Sequence, residues 1–465
     1  MKRTNRQIAL IIFTAVSISA LPFLAAQSQQ SQQQLATESN PAGYPAPVTH
    51  PIGIPSDSCP GTHVNIEDLS SFDADAVMPP FADSITGADN PLRRKMLCHD
   101  MTYRIVYTPG FTVNTLQSPV PEAKQDFIGQ RPTWTSMVSY SIVADLASIH
   151  LPGVQLTAGA FFLRSNWDRA YPSALKMGQL IVYKPFFHRR LELKAGYQNN
   201  DTELIGIEMG GSVSNASQGV YAVLPFEVGL SYSPLSTPTF TVRAQPKGDF
   251  YAKIGLQRST SAHGERGDLA RDAAGFRFAP KGDGLLSVFE GGYNRASQAE
   301  APQFWVRGGY LTNTTRYANA KTNTDTGGNH CYFLLADRQL RSGGPTFPSR
   351  GLYLGASAMS APPELDAYSR YYELRLYQMA PFNRRPGDML SLVSSYSNYS
   401  RYSTAQLNAA GLTAATHYAT LTGSYTARVH SGTYISTGLS YDSRPAISPR
   451  LPGALTIAVQ AAVFF

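Results

Sequence analysis

Charge is what this sequence has least of. Charged residues make up 15% of its 465 positions, against roughly a quarter in ordinary soluble domains. Cysteine is scarcer still, at 3, which excludes a disulfide framework. Cys59 and Cys98 are the candidate pair across a loop near the mature N-terminus, a pairing that spacing leaves open, and Cys331 stays free within an expected strand. No CxxC pair or HExxH stretch is present, so neither a metal nor a cofactor is expected. No GxSxG elbow accompanies the histidines. His99 beside Asp100 and His188 beside two arginines read as solvated loop residues, and the sequence is read as that of a non-enzyme. Nucleic acid is not an expected partner. Past the first two dozen residues no apolar run reaches about 18 positions, so no helix is expected to cross a membrane.

What is present begins with a leader. Lys2, Arg3 and Arg6 precede an apolar stretch from Ile8 to Leu24 and then small residues, the layout of a cleaved signal peptide over residues 1–26. Residues 27–90 open on a Gln, Ser and Pro-rich run that is poor in bulky apolar groups. Such a composition cannot bury enough surface to order itself, and the segment is expected to be largely disordered in the periplasm. "NPLRRKMLCHD" reads as one short helix, and the barrel-like texture is assigned to residues 91–465.

That texture is alternation with a period of two. In "LELKAGYQ" Leu191, Leu193, Ala195 and Tyr197 oppose Glu192, Lys194, Gly196 and Gln198. "FYAKIGLQ" sets Phe250, Ala252, Ile254 and Leu256 against Tyr251, Lys253, Gly255 and Gln257. "YYELRLYQ" sets Tyr372, Leu374 and Leu376 against Tyr371, Glu373, Arg375 and Tyr377. "PFEVGLSY", "VQLTAGAFF", "FWVRGGYL", "GLYLGASA", "ATLTGSYTARV" and "TYISTGLSY" read as further strands, with "RRPGD", "RGDLARDAAG" and "SPRLPG" as turns between them.

Alternation also suits a soluble sandwich, which hides its apolar face in a core. A membrane barrel turns that face to lipid and keeps charge inside. Two features favour the barrel: charges such as Glu192, Lys194, Lys253, Glu373 and Arg375 lie mid-strand, and tyrosines recur at strand ends, as in an aromatic girdle. The chain also closes on "ALTIAVQAAVFF", whose Leu455, Ile457, Val459, Ala461, Val463 and Phe465 form an apolar face suited to lipid. At about 20–25 residues per strand and connection, an all-β transmembrane antiparallel barrel of about 16 strands follows, wide enough for an aqueous channel.

Several stretches then resemble one family, the OprB-like carbohydrate-selective porins. "CYFLLADRQL" is similar to that family's Ala-Asp-Gln-x-Leu strand, matched by Ala336, Asp337, Gln339 and Leu340, with Arg338 inserted. "YSPLSTPTFTVRAQPKGDFYAKIGLQRS", "RRLELKAGYQNNDTELIG", "RRPGDMLSL" and "AISPRLPGALTIAVQAAVFF" resemble other segments of it, in the same order. The family's early Trp-Gly-Gly-Leu-Arg stretch is not visible; "PLRRKMLCHDM" stands there instead. The resemblance, over roughly residues 95–465, implies a sixteen-stranded monomeric outer-membrane barrel passing mono- and oligosaccharides by facilitated diffusion.

Sugar passage needs hydrogen-bond partners for hydroxyls, aromatic faces for pyranose rings, and binding weak enough to release. On the polar faces of the strands those residue types are Tyr251 and Lys253, Trp305 and Arg307, and Tyr371, Glu373, Arg375 and Tyr377. A loop carrying Trp167, Asp168 and Arg169 is a candidate for folding inward and narrowing the pore, with an exposed girdle loop as the alternative. The net charge of +7 admits an anion-preferring or general porin, for phosphate or organic acids, as the other reading. Expected partners are sugars, outer-membrane lipid and lipopolysaccharide, and the assembly machinery through the strand ending in Phe465.

Overall fold

The computed structural model of the chain describes residues 83–87, 90–116, 120–167, 173–201, 203–205, 223–298, 301–344 and 346–465. Residues 1–26, expected to be a leader, and most of the 27–90 segment lie outside the described residues.

Sixteen antiparallel strands close on themselves, each paired with its neighbours in chain order and the first with the last. They are β1 (Met101–Asn114), β2 (Thr133–Asp145), β3 (Gln155–Ser165), β4 (Ala174–Phe186), β5 (Leu191–Gln198), β6 (Thr237–Lys247), β7 (Phe250–Arg258) and β8 (Leu285–Arg295). The circuit continues through β9 (Phe304–Asn319), β10 (Thr324–Ser342), β11 (Gly351–Ser360), β12 (Tyr368–Met379), β13 (Met389–Tyr399), β14 (His417–His430), β15 (Thr433–Asp442) and β16 (Ala454–Phe464). Among the described residues four α-helices accompany it: α1 (Pro91–Leu97), α2 (Leu224–Glu227), α3 (Gly264–Arg271) and α4 (Arg401–Ala409). Closure leaves no edge strand with unpaired backbone groups, which a hydrocarbon surrounding requires.

Burial runs opposite to that of a soluble protein. Along β12, Tyr372, Leu374 and Leu376 face outward and are exposed, while Tyr371, Glu373, Arg375 and Tyr377 face inward and are buried. The same inversion holds for Ile254 against Lys253 and for Phe289 against Glu290. Outward aromatics cluster across strands, as in the neighbouring rings of Phe250, Tyr293 and Phe304. In β16 Ile457 and Val459 face out, whereas Phe464 turns inward and meets Tyr434 edge-on.

The first strand begins and the last strand ends at one rim, where neighbouring strands are joined by short turns such as 248–249 and 431–432. Helix α1 forms as its sequence suggests: Asn90 caps it, accepting from Leu92 N at 2.9 Å and Arg93 N at 3.2 Å, with Pro91 in the first turn. Arg93, fully buried, donates to the Phe465 carbonyl at 2.9 Å and to Ser84 and Gly87. Residues 83–87, expected within the unstructured segment, are instead docked on the barrel. Ile85 N donates to Phe464 O at 2.8 Å, and Asp83 accepts from Arg428, Ser431, Gly432 N and Tyr434. Gly432 has φ +64, and a Cβ there would lie 2.5 Å from Ser84 Cα, so turn and docking both require glycine.

Burial alone would raise the Asp83 pKa, but hydrogen bonds from Arg428 and Tyr434 outweigh it and hold the carboxyl below its usual value. Its contribution is therefore present above the unfolded carboxylate pKa and is lost as acid titrates the folded group. Asp83→Ala is expected to cost about 1–3 kcal/mol at the turn between β14 and β15, where its partners Arg428, Ser431, Gly432 and Tyr434 lie. The temperature at which the folded band converts to the unfolded band on a detergent gel should fall, and an unchanged temperature would mean that the docked segment does not brace this turn.

Candidate functional site

The interior has two contrasting halves. On β13–β16 most inward side chains between the strand ends are small, with hydroxyls paired across strands: Ser395 with Thr420 at 2.8 Å, Thr422 with Ser440 at 2.7 Å, and Thr426 with Ser436 at 2.8 Å. On β4–β12 they include most of the charged and several aromatic side chains of the interior.

The chain between β5 and β6 supplies a third component. Leu204, Ile205, Val223, Leu224, Phe226, Val228, Leu230, Tyr232 and Leu235 form one buried cluster with Leu286, Val288, Leu311, Phe333, Leu335 and Met359 from the inner faces of β8–β11. The described parts of this segment, 203–205 and 223–236, therefore lie inside the barrel. Gly255 seats it, because a Cβ there would lie 2.5 Å from Leu204 Cδ2. Asn313 holds it by donating to Val228 O at 2.5 Å, and Tyr368 N donates to Glu227 Oε2 at 3.0 Å. "PFEVGLSY", expected as a strand, is thus α2 and the irregular chain after it, and "RGDLARDAAG", expected as a turn, contains most of α3.

Next to this insert runs a band of charge. Arg375 on β12 donates to Asp337 on β10 at 2.9 Å, to Ser357 at 2.6 Å and to Glu373. Tyr371 donates to Glu373, and Tyr377 to Asp337 at 3.2 Å. Two residues apart on one strand, Glu373 and Arg375 share a face. Reaching Asp337 is harder, since two inter-strand spacings separate β12 from β10, about 9–10 Å. The residue between them in register is Gly355. Only a long side chain crosses that gap, and only over a residue with no side chain of its own.

A second bridge repeats the device. Tyr251 on β7, Gly292 on β8 and Arg307 on β9 are in register. Tyr251 passes over Gly292, donates to Glu290 at 2.8 Å and accepts from Trp305 Nε1 at 3.1 Å. The Arg307 guanidinium lies 3.9 Å from the Trp305 ring centroid, and that of Arg243 lies 5.0 Å from the Tyr251 ring. Arg243 also binds Glu192 at 3.0 Å, where Tyr183 donates at 2.6 Å. Lys194 pairs with Glu203, and Lys253 donates to the Glu203 carbonyl at 2.6 Å.

The eight strand residues singled out in the sequence, Tyr251, Lys253, Trp305, Arg307, Tyr371, Glu373, Arg375 and Tyr377, all face inward, and hydrogen bonds or ring contacts group most of them into two constellations. Asp168 and Arg169 lie outside the described residues. Trp167 is 2% exposed and packs with Ile128, Met137 and Leu163, so apolar neighbours cover its indole. Glu290 and Arg243 were not picked from the sequence, since no residue of β8 or β6 was singled out there; alternation counted from the outward-facing Phe289 and Phe240 would have found them. Cys331 is a free, buried cysteine of β10, and Cys98 is disulfide-bonded, while Cys59 lies outside the described residues. Among the described residues no group of three or more His, Cys, Asp or Glu could hold a metal ion.

Comparison with known proteins agrees with this architecture. A family model described as carbohydrate-selective porin, OprB family, matches residues 153–465, which carry β3–β16, the insert and both charged constellations. The high-pH structure of OprB from Pseudomonas putida superposes with a TM-score of 0.68 at 15% identity, covering 82% of this chain and 98% of that one. Its low-pH structure gives 0.52 at 12% identity over the same shares, 82% and 98%. Those identities speak for the fold alone. Among curated protein sequences none matches. The family match, spanning well over half of a closed sixteen-stranded barrel, establishes that the chain belongs to the OprB family of carbohydrate-selective porins, outer-membrane channels of Gram-negative bacteria.

Proposed function

We propose that this porin passes mono- and oligosaccharides by facilitated diffusion as a monomer, and that Tyr251, Lys253, Trp305, Arg307, Tyr371, Glu373, Arg375 and Tyr377 are the wall against which the sugar exchanges hydrogen bonds. The observation that carries this reading is the pairing of every kind of group a sugar needs on one inner surface: guanidinium donors, carboxylate acceptors and aromatic rings, each held by a neighbour. Arg375 and Arg307 supply donors in a fixed plane, and Trp305 and Tyr251 supply ring surface. Because these groups already satisfy one another, a sugar gains little by stopping, which favours release.

The anion-porin alternative is weaker on the same surface. Arg375 is matched by Asp337 and Glu373, Arg243 by Glu192, and Lys194 by Glu203. A lumen neutralised in place does not concentrate anions strongly. Outside, the apolar band contacts lipid and lipopolysaccharide, and the strand ending in Phe465 is the element offered to the assembly machinery.

Liposome swelling tests the reading by comparing neutral sugars of rising size with neutral amino acids of similar size and with gluconate. Sugars should enter faster than amino acids of equal size, and Trp305→Ala with Arg307→Ala should reduce that advantage. Rates that follow size alone would reduce the protein to a general pore, and a lead for gluconate would make positive charge the selecting feature.

A further inference from the structure

Gly292 and Gly355 share a position in the architecture that no other element of the site duplicates. Each faces the lumen on a strand flanked by two that carry long, polar, inward side chains, and each lies directly beneath the place where those side chains meet. A Cβ on Gly355 would lie 2.7 Å from Arg375 Nε and 2.8 Å from Arg375 Nη2, and closer still to Asp337 Oδ1. A Cβ on Gly292 would lie 2.6 Å from Tyr251 Cε1 and 2.7 Å from its hydroxyl. Both distances are below any that real Cβ atoms keep. In both cases the atoms met are side-chain groups rather than backbone, so the barrel wall is not what would give way.

We propose that Gly292 and Gly355 determine the calibre and hence the size limit of the channel, by providing slots in which the Tyr251 ring and the Arg375–Asp337 pair lie flat against the wall. Filling a slot lifts the bridge toward the axis. Two bridges sit on the same half of the interior, facing the small hydroxyl-bearing wall of β13–β16, and each displacement narrows the space between the halves. Their position makes them size-determining residues that need not touch the solute. Neither glycine has a positive φ recorded, so backbone strain is not the reason for glycine here.

This inference deepens the sugar-channel reading, and its experiment separates the two. Gly355→Ala and Gly292→Ala are made singly, and each is combined with removal of the groups it would displace, Asp337→Ala together with Arg375→Ala for the first and Tyr251→Ala for the second. Single-channel conductance in potassium chloride reads calibre without any sugar, and swelling rates for a pentose, a hexose and a disaccharide read the size limit. The expected result is a loss of conductance in each single glycine variant, with the disaccharide slowed more than the pentose. Adding the glycine substitution to the protein already lacking both Asp337 and Arg375, or to Tyr251→Ala, should then cause little further loss, because the added methyl no longer meets a displaced group. Equal losses in both backgrounds, or folded single variants that conduct like the parent, would overturn the proposal. Should one single variant fail to show the heat-shifted folded band, the other bridge carries the test alone. Loss of sugar preference with these conductance results intact would count against the sugar reading and leave the slots standing.

Discussion

Arg375→Ala should destabilise the barrel by about 3–5 kcal/mol, the cost of leaving buried carboxylates without their cation. Arg375 is 1% exposed and pairs with both Asp337 and Glu373, themselves 3% and 5% exposed, so one substitution strands two acids at once. Asp337 keeps Tyr377 and Glu373 keeps Tyr371, and these hydroxyls soften the loss without replacing a charge. Lysine is a poor substitute: its single ammonium cannot divide itself between two carboxylates and Ser357 as a guanidinium does. Replacing Asp337 and Glu373 by Asn and Gln in the Arg375→Ala protein should return much of the stability, since the stranded charges are then gone. Thermal unfolding in detergent, followed by tryptophan fluorescence and by gel mobility, measures all of these variants. If Arg375→Ala unfolds with the parent, the pair is solvated in the working channel and contributes nothing to the fold.

The same residues show how far the sequence could be read. Placing Glu373 and Arg375 inside required only parity, because a strand with a period of two has no intermediate orientation and one lipid-facing leucine assigns every other position. The pairing of Arg375 with Asp337 was out of reach, since it depends on which strand lies two places away and on a glycine between them. The insert was missed for a different reason. "PFEVGLSY" alternates as cleanly as any true strand, yet Phe226, Val228 and Leu230 bury themselves inside the barrel rather than facing lipid. A signal for it lay elsewhere, in "FLLA", where Phe333, Leu334 and Leu335 are apolar on both faces. A barrel strand apolar on its inner face needs an apolar partner within the lumen. Trp167 misled because an aromatic among charged residues resembles a sugar platform, while its actual neighbours, Ile128 and Met137, come from distant positions.

That insert should loosen as pH rises. Glu227, on α2, is pushed well above the usual carboxylate range by burial and then by the nearby Asp366, itself raised by burial. Asn329 donates to Asp366 at 2.8 Å and opposes that rise, Glu364 adds to it, and Tyr317 of β9, Cys331 of β10 and Tyr368 of β12 are further titratable groups packed around the pair. At the other end of the insert Tyr232 donates to Glu265 of α3 at 3.5 Å. Burial pushes Glu265 up to about 8 against the pull of Lys176, with Asp268 adding to the rise and Arg266 opposing it. Burial thus biases all three carboxyls of the docked state toward the neutral acid. Docking is at full strength below the ordinary carboxylate pKa and weakens as pH climbs toward the raised values, for Glu265 toward about 8. Each group costs up to about 1.4 kcal/mol per pH unit across its window. Conductance and open-channel noise should therefore increase between about pH 5 and about pH 8, and the triple variant Glu227→Gln, Asp366→Asn and Glu265→Gln, which keeps all three side chains neutral at every pH, should flatten the profile near the acid-side value. A parent whose conductance ignores pH, or a triple variant that retains the full rise, would show that these acids do not control how firmly the insert is seated.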